Sequence, residues 1–110
     1  MPRLSLQTSL AGRTAVIALA GELDIAGAAA LERELAGLDA GAVVVDLRGL
    51  GFMDSSGLRA LAVAAQRAKR AGNRFALVPG AAQVMRVFDV TRMRERLDFV
   101  ADPGEVTVGP

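Results

Sequence analysis

Apolar and polar positions alternate at the start of the chain, where Leu4, Leu6 and Leu10 interleave with Ser5, Gln7 and Ser9. That period of two predicts a half-buried strand. After a turn at Gly12-Arg13, Thr14 to Ala20 is almost continuously apolar and reads as a more central strand, paired with the first as a hairpin. Gly21, Glu22, Leu23 and Asp24 mark the strand's end, with Asp24 placed to cap a helix. Ala28, Leu31, Leu35 and Leu38 form one apolar stripe, predicting that helix from about Ala26 to Leu38, with Glu32, Arg33 and Glu34 turned to water. Asp39 to Gly41 close it.

Val43 to Leu47 then reads as a buried strand, followed by a glycine-interrupted apolar loop from Gly49 to Met53. Beyond Asp54, Ser55, Ser56 and Gly57 the period returns to that of a helix, through Leu58, Leu61, Ala62, Ala65 and Ala68. Lys69 and Arg70 suit its last turn and Gly72-Asn73 its end. Phe75 to Val78 predicts a short buried strand ended by Pro79-Gly80. A third helix follows over Gln83 to about Val90, then a short edge strand over Leu97 to Val100. The tail from Asp102, with Pro103, Gly104 and Pro110, reads as loose.

This order predicts an α/β domain: a small mixed sheet of four or five strands, an antiparallel N-terminal hairpin followed by parallel strands, with three or four helices. Sites on such sheets gather at the C-terminal strand ends. Asp24 and the Asp54–Ser56 stretch each follow a strand and precede a helix, so both are expected at that one end.

Composition narrows the chemistry. At 110 residues the chain holds one core, about residues 4 to 100. No apolar run approaches the roughly 18 residues of a membrane span, and Met1 to Leu10 lacks the pattern of a secretory signal, so a cytoplasmic protein is expected. Cysteine and histidine are both absent, which excludes disulfides, the usual zinc sites and any Ser-His-Asp arrangement. Thirteen Lys and Arg against twelve Asp and Glu, with four Phe and no Tyr or Trp, give no case for nucleic acid.

The adjacent serines are the candidate chemistry. A helix start leaves backbone N–H groups without partners, and Asp54 or Ser55 can cap them. A serine nucleophile needs a base, and the sole lysine, Lys69, lies thirteen positions beyond Ser56, roughly 20 Å along a helix. Gly49, Gly51 and Gly57 do not form a phosphate-binding loop, and Asp46 and Asp54 lack the lysine of an aspartyl-phosphate receiver. Accepting a phosphate from another enzyme asks only for an accessible hydroxyl. A phosphoserine there would face the helix's positive end and add a charge of about −1.5 to −2. A partner packing on Phe52, Met53 or Leu58 would then meet a dianion beside carboxylates, which suits a binding switch.

Gly21-Glu22-Leu23-Asp24, Val45-Asp46-Leu47, Phe52-Met53-Asp54-Ser55-Ser56-Gly57-Leu58 and Val87-Phe88-Asp89 together resemble a STAS domain, and more closely the single-domain bacterial anti-sigma factor antagonists. The resemblance implies the family's small mixed sheet with helices, no enzymatic activity and no cofactor. It implies that Ser56 accepts phosphate from an anti-sigma factor that is a serine kinase with a histidine-kinase-like ATP site. The unphosphorylated form would bind that partner and release the sigma factor, and a metal-dependent serine phosphatase would reset it. Contact or kinase-recognition roles for Asp24, Asp54 and Ser55 are implied in the same way. An alternative within the family is an accessory subunit docked constitutively on the ATPase of a lipid ABC transporter, with the serine acting only as a cap. The chain departs from antagonists at Thr91-Arg92-Met93, where Ser or Thr is often followed by Gly-Leu. Arg94 and Arg96 extend a basic segment there, readable as a solvated helix end or as a partner contact.

Overall fold

In a computed structural model, which describes residues 3–106, β1 (Ser5–Ala11) and β2 (Thr14–Leu23) form an antiparallel hairpin that turns at Gly12. Gly12 adopts φ +62°, a left-handed conformation that glycine enters without a Cβ penalty. The chain continues through α1 (Ile25–Ala36), β3 (Ala42–Met53), α2 (Ser55–Ala71), β4 (Arg74–Val78) and α3 (Ala82–Val90). Single 3₁₀ turns follow at Met93–Glu95 and Pro103–Glu105. The sheet order is β1-β2-β3-β4, with β2, β3 and β4 parallel, so the expected mixed sheet has four strands and three α-helices.

All three helices lie on one face. Leu31 of α1, Leu58 and Leu61 of α2, and Val84, Met85 and Phe88 of α3 pack with Ile17, Leu19, Val45, Leu47 and Leu77 of the sheet. Each such fully buried aliphatic side chain contributes about 1.5–3 kcal/mol over an exposed one. The other face holds the smaller cluster Ala42, Val44, Ala76 and Val78, closed by Val106. Gly72 ends α2 in the left-handed conformation, with Asn73 N–H donating to the Ala68 carbonyl at 2.8 Å.

Four expectations are corrected. Gly49 to Met53 is not a loop: β3 runs unbroken to Met53 and pairs with β2 up to Leu23↔Met53. Its partner register slips by one residue between Ala18 and Ala20 and again between Gly21 and Glu22, so β3 carries two extra residues that bulge and break its alternation. The tail is not loose as far as Val106. Asp102 accepts from Gly104 N–H while Glu105 accepts from Asp102 N–H, and this capping box steers Val106 onto the sheet. Residues 107–110 lie outside the described residues. Leu97 to Val100 forms no strand, only a single parallel bridge, Leu77↔Phe99. Leu10, expected on the buried side of β1, is 69% exposed, because it pairs with Ala15 at the end of the sheet far from the start of α1.

Candidate functional site

Leu23 and Met53 are register partners at the C-terminal ends of β2 and β3, and the Asp54 N–H donates to the Leu23 carbonyl at 3.3 Å. The two aspartates that follow therefore emerge side by side. Asp24 is the N-cap of α1, at φ −103° and ψ −165°, its carboxylate accepting from the Gly27 N–H at 2.9 Å. Asp54 is the N-cap of α2, at φ −109° and ψ −172°, accepting from Ser56 N–H at 2.9 Å and Gly57 N–H at 3.2 Å. Asp54 and not Ser55 is thus the cap, and Ser55 begins the helix.

Both first turns press on the end of β2. A Cβ at Gly57 would fall 2.7 Å from Leu23 Cγ and 2.8 Å from the Leu23 carbonyl oxygen; one at Gly27 would fall 3.0 Å from the Glu22 carbonyl oxygen. The glycines let each helix start against backbone, which fixes where the residues between cap and glycine point. In α2 these residues are Ser55, exposed, and Ser56, half-buried. Among the described residues neither hydroxyl is held by a hydrogen bond.

The eight residues singled out from the sequence are brought together but divide by exposure. Phe52 is 45% exposed, and Asp24 and Asp54 are half-buried. Met53, Gly57 and Leu58 are buried in the helix-covered core. Met53 and Leu58 hold α2 against the sheet, so of the three apolar residues named with the serines only Phe52 is exposed. Two residues were missed. Ile25, just after the Asp24 cap, is 75% exposed and adds apolar surface to the rim. Arg59, also exposed, lies three positions after Ser56 and four after Ser55, the spacings at which helical side chains are neighbours. Helical side chains in general lean toward the helix N-terminus. The i+3 spacing was the available signal for Arg59; Ile25 gave none, because it sits at a predicted boundary.

Arg48 closes a bidentate pair on Asp46, with Nη2 2.8 Å from Oδ2 and Nε 3.0 Å from Oδ1, and these bonds hold the Asp46 carboxyl below its ordinary 3.8 against the opposing cost of burial. Among the described residues no three acidic side chains gather as a metal site would require, and no helix is long and apolar enough to cross a membrane. Two of the three arginines after α3 pair within the segment or with α3. Arg94 pairs with Asp89 at 3.5 Å and stacks 5.6 Å over Phe99, while Arg92 pairs with Glu95 at 3.5 Å. Arg92 itself is left-handed, φ 61°, a conformation that favours glycine over residues with a Cβ.

The family model described as Mlab, STAS domain, matches residues 6–101. No curated protein sequence matches the chain. Among solved structures, an anti-sigma factor antagonist from Mycobacterium paratuberculosis superposes with a TM-score of 0.84 at 21% identity, over 94% of this chain and 90% of that one. The anti-sigma factor antagonist SpoIIAA in its unphosphorylated form gives 0.77 at 21% identity, covering 92% of each chain. The Bacillus cell fate determinant SpoIIAA in its phosphorylated form gives 0.72 at 20% identity, over 92% of this chain and 96% of that one. At these identities the likeness is one of fold.

Proposed function

Because the chain belongs to the STAS-domain family, we propose that it is an anti-sigma factor antagonist: a cytoplasmic, non-catalytic module that binds an anti-sigma serine kinase when Ser56 is unmodified and releases it when Ser56 carries phosphate. One observation carries the reading. Ser56 stands in the first turn of a helix already capped by Asp54, so its hydroxyl, half-buried and without a hydrogen bond among the described residues, is not needed to start the helix. A phosphate there leaves packing intact and changes the surface. Support also comes from the protein whose fold this chain shares, which adopts that fold with and without phosphate.

The switch is electrostatic. A dianion placed near the Asp24 and Asp54 carboxylates must be desolvated by any partner that covers Phe52 and Ile25, and a penalty of about 3 kcal/mol lowers affinity about a hundredfold or more. Arg59, one turn away, offsets part of that charge within the helix, by about 0.2–0.5 kcal/mol. A metal-dependent serine phosphatase would restore the binding form.

The test combines an anti-sigma serine kinase and ATP with intact-mass measurement. The wild type gains one phosphate and the Ser56→Ala variant none; uptake by that variant at the wild-type level overturns the assignment. Ser56→Asp is expected to weaken kinase binding measured by calorimetry. Recovery of a transporter ATPase as the bound partner from cell extract, in place of a kinase, would assign the surface to constitutive docking.

A further inference from the structure

The two edges of the sheet are finished differently. Along β4, Leu77 N–H donates to the Asp98 carbonyl and Val100 N–H to the Leu77 carbonyl, each at 2.9 Å, so a passing segment occupies that edge at Leu77. β1 is the opposite edge, and among the described residues nothing pairs with its outer side. Natural edge strands are blunted by Lys or Pro, by inward charges, by bulges or by extreme shortness. β1 has none of these. It runs for 7 residues, Ser-Leu-Gln-Thr-Ser-Leu-Ala, without charge or proline, and in unbroken register with β2 from Ser5↔Ala20 to Ala11↔Thr14.

The strand is also close to symmetric about Thr8. Leu6, Thr8 and Leu10 oppose Leu19, Ile17 and Ala15, which places them on the helix-covered face, while Gln7 and Ser9 share the other face. The Thr8 hydroxyl is anchored to Glu34 of α1 at 2.7 Å, which holds the centre of the strand to its own protomer. An antiparallel copy of the strand, related by a two-fold axis through Thr8, sets Leu6 opposite the Leu10 of the second copy and Leu10 opposite its Leu6. Gln7 then meets Ser9. Leu10, otherwise 69% exposed, gains an apolar neighbour, and each contact is made twice, as an isologous interface requires.

We propose that β1 is a self-association edge, on which a second copy of this chain adds antiparallel about a two-fold axis at Thr8 to give one continuous sheet through both protomers. The Ser55–Ser56 surface lies on other elements, so this inference stands apart from the proposed switch.

Sedimentation of the full chain across a concentration series tests it, and the expected mass rises from one chain to two. Leu10→Lys alters a side chain already exposed in the monomer; it should keep the circular dichroism spectrum and raise the dissociation constant about tenfold or more. The register has its own readout, since the chain has no cysteine. Residues on the axis of an antiparallel pair lie about 4.5–5.5 Å apart, within disulfide range, so Thr8→Cys should crosslink under mild oxidation. Ser5→Cys, with its two copies about 20 Å apart in this register, should not. A mass that stays at one chain at every concentration overturns the proposal, and so does crosslinking of Ser5→Cys as fast as Thr8→Cys.

Discussion

The junction from β2 into α1 and the junction from β3 into α2 are the same piece of architecture used twice. Leu23-Asp24-Ile25-Ala26-Gly27 and Met53-Asp54-Ser55-Ser56-Gly57 share a buried apolar residue, a capping aspartate at almost the same dihedral angles, and a glycine jammed against the end of β2. They differ between cap and glycine, where one has Ile25-Ala26 and the other Ser55-Ser56, and one turn on, where Ala29 stands in place of Arg59. Since α1 starts well with no hydroxyl, the serines of α2 are not a requirement of helix initiation. What the fold demands is the aspartate and the glycine. The serines and Arg59 are the additions, and they are exposed or half-exposed.

Substitutions can break or sharpen this comparison. The largest effect belongs to Gly57→Ala, which drives a methyl into Leu23 and should cost about 2 kcal/mol in urea unfolding. Gly27→Ala meets its nearest atom at 3.0 Å and gains helix propensity, so its cost stays under about 1 kcal/mol; equal costs would show the two glycines to be equivalent. Next come the caps. Asp54→Ala should lose about 1–2 kcal/mol and Asp24→Ala about 1, because Asp54 accepts two N–H groups and Asp24 one. The reverse order would place the weight on the first junction.

Smaller still, Ser56→Ala should change stability by less than about 0.5 kcal/mol while removing phosphate uptake, and a larger loss would mean that the hydroxyl serves the fold after all. Ala26→Ser copies the acceptor into the other junction. It should fold as the wild type and take up no phosphate at that position, because Ile25 precedes it where Ser55 precedes Ser56 and Ala29 stands where Arg59 does. A tryptic phosphopeptide from α1 would break the distinction.

The smallest effect is a control outside both junctions. Arg48 keeps the Asp46 pKa lower in the folded chain than in the unfolded one, so the stability this pair contributes is complete above about pH 5 and is lost as pH falls through the lowered value. With Arg48 exposed, solvent screens the pair and that contribution is slight. Asp46→Asn should flatten the acid limb of a stability profile slightly and leave phosphate uptake unchanged.

Much of this was readable in the chain because the punctuation is physical. Gly12, Gly72 and the two aspartates sit where a turn, a helix end and two helix starts need them, and the helical stripes through Leu31, Leu61 and Phe88 face the core as their spacing implies. The second half of β3 was illegible because two extra residues shift its phase, so a strand looked like an apolar loop. The docking of Val106 was illegible for another reason: it is one valine within a Pro- and Gly-containing tail, and only the unhelixed face of the sheet, remote in sequence, gives it a place. At the site, sequence identified the serines but not which neighbours have surface to offer. Met53 and Leu58 look like any exposed apolar residues in a string, and it is the abutment of α2 on Leu23 that turns them inward.

The bridge between Leu77 and Phe99 bears on how many copies can ever join. A sheet open at both sides can add chains without end, as fibrils do. Here the Asp98–Val100 segment occupies one side, so a copy that docks on β1 presents only its own stoppered edge to the next. Association through this sheet is a count to two, and a break in the Phe99 bridge is the lesion that would let it run on.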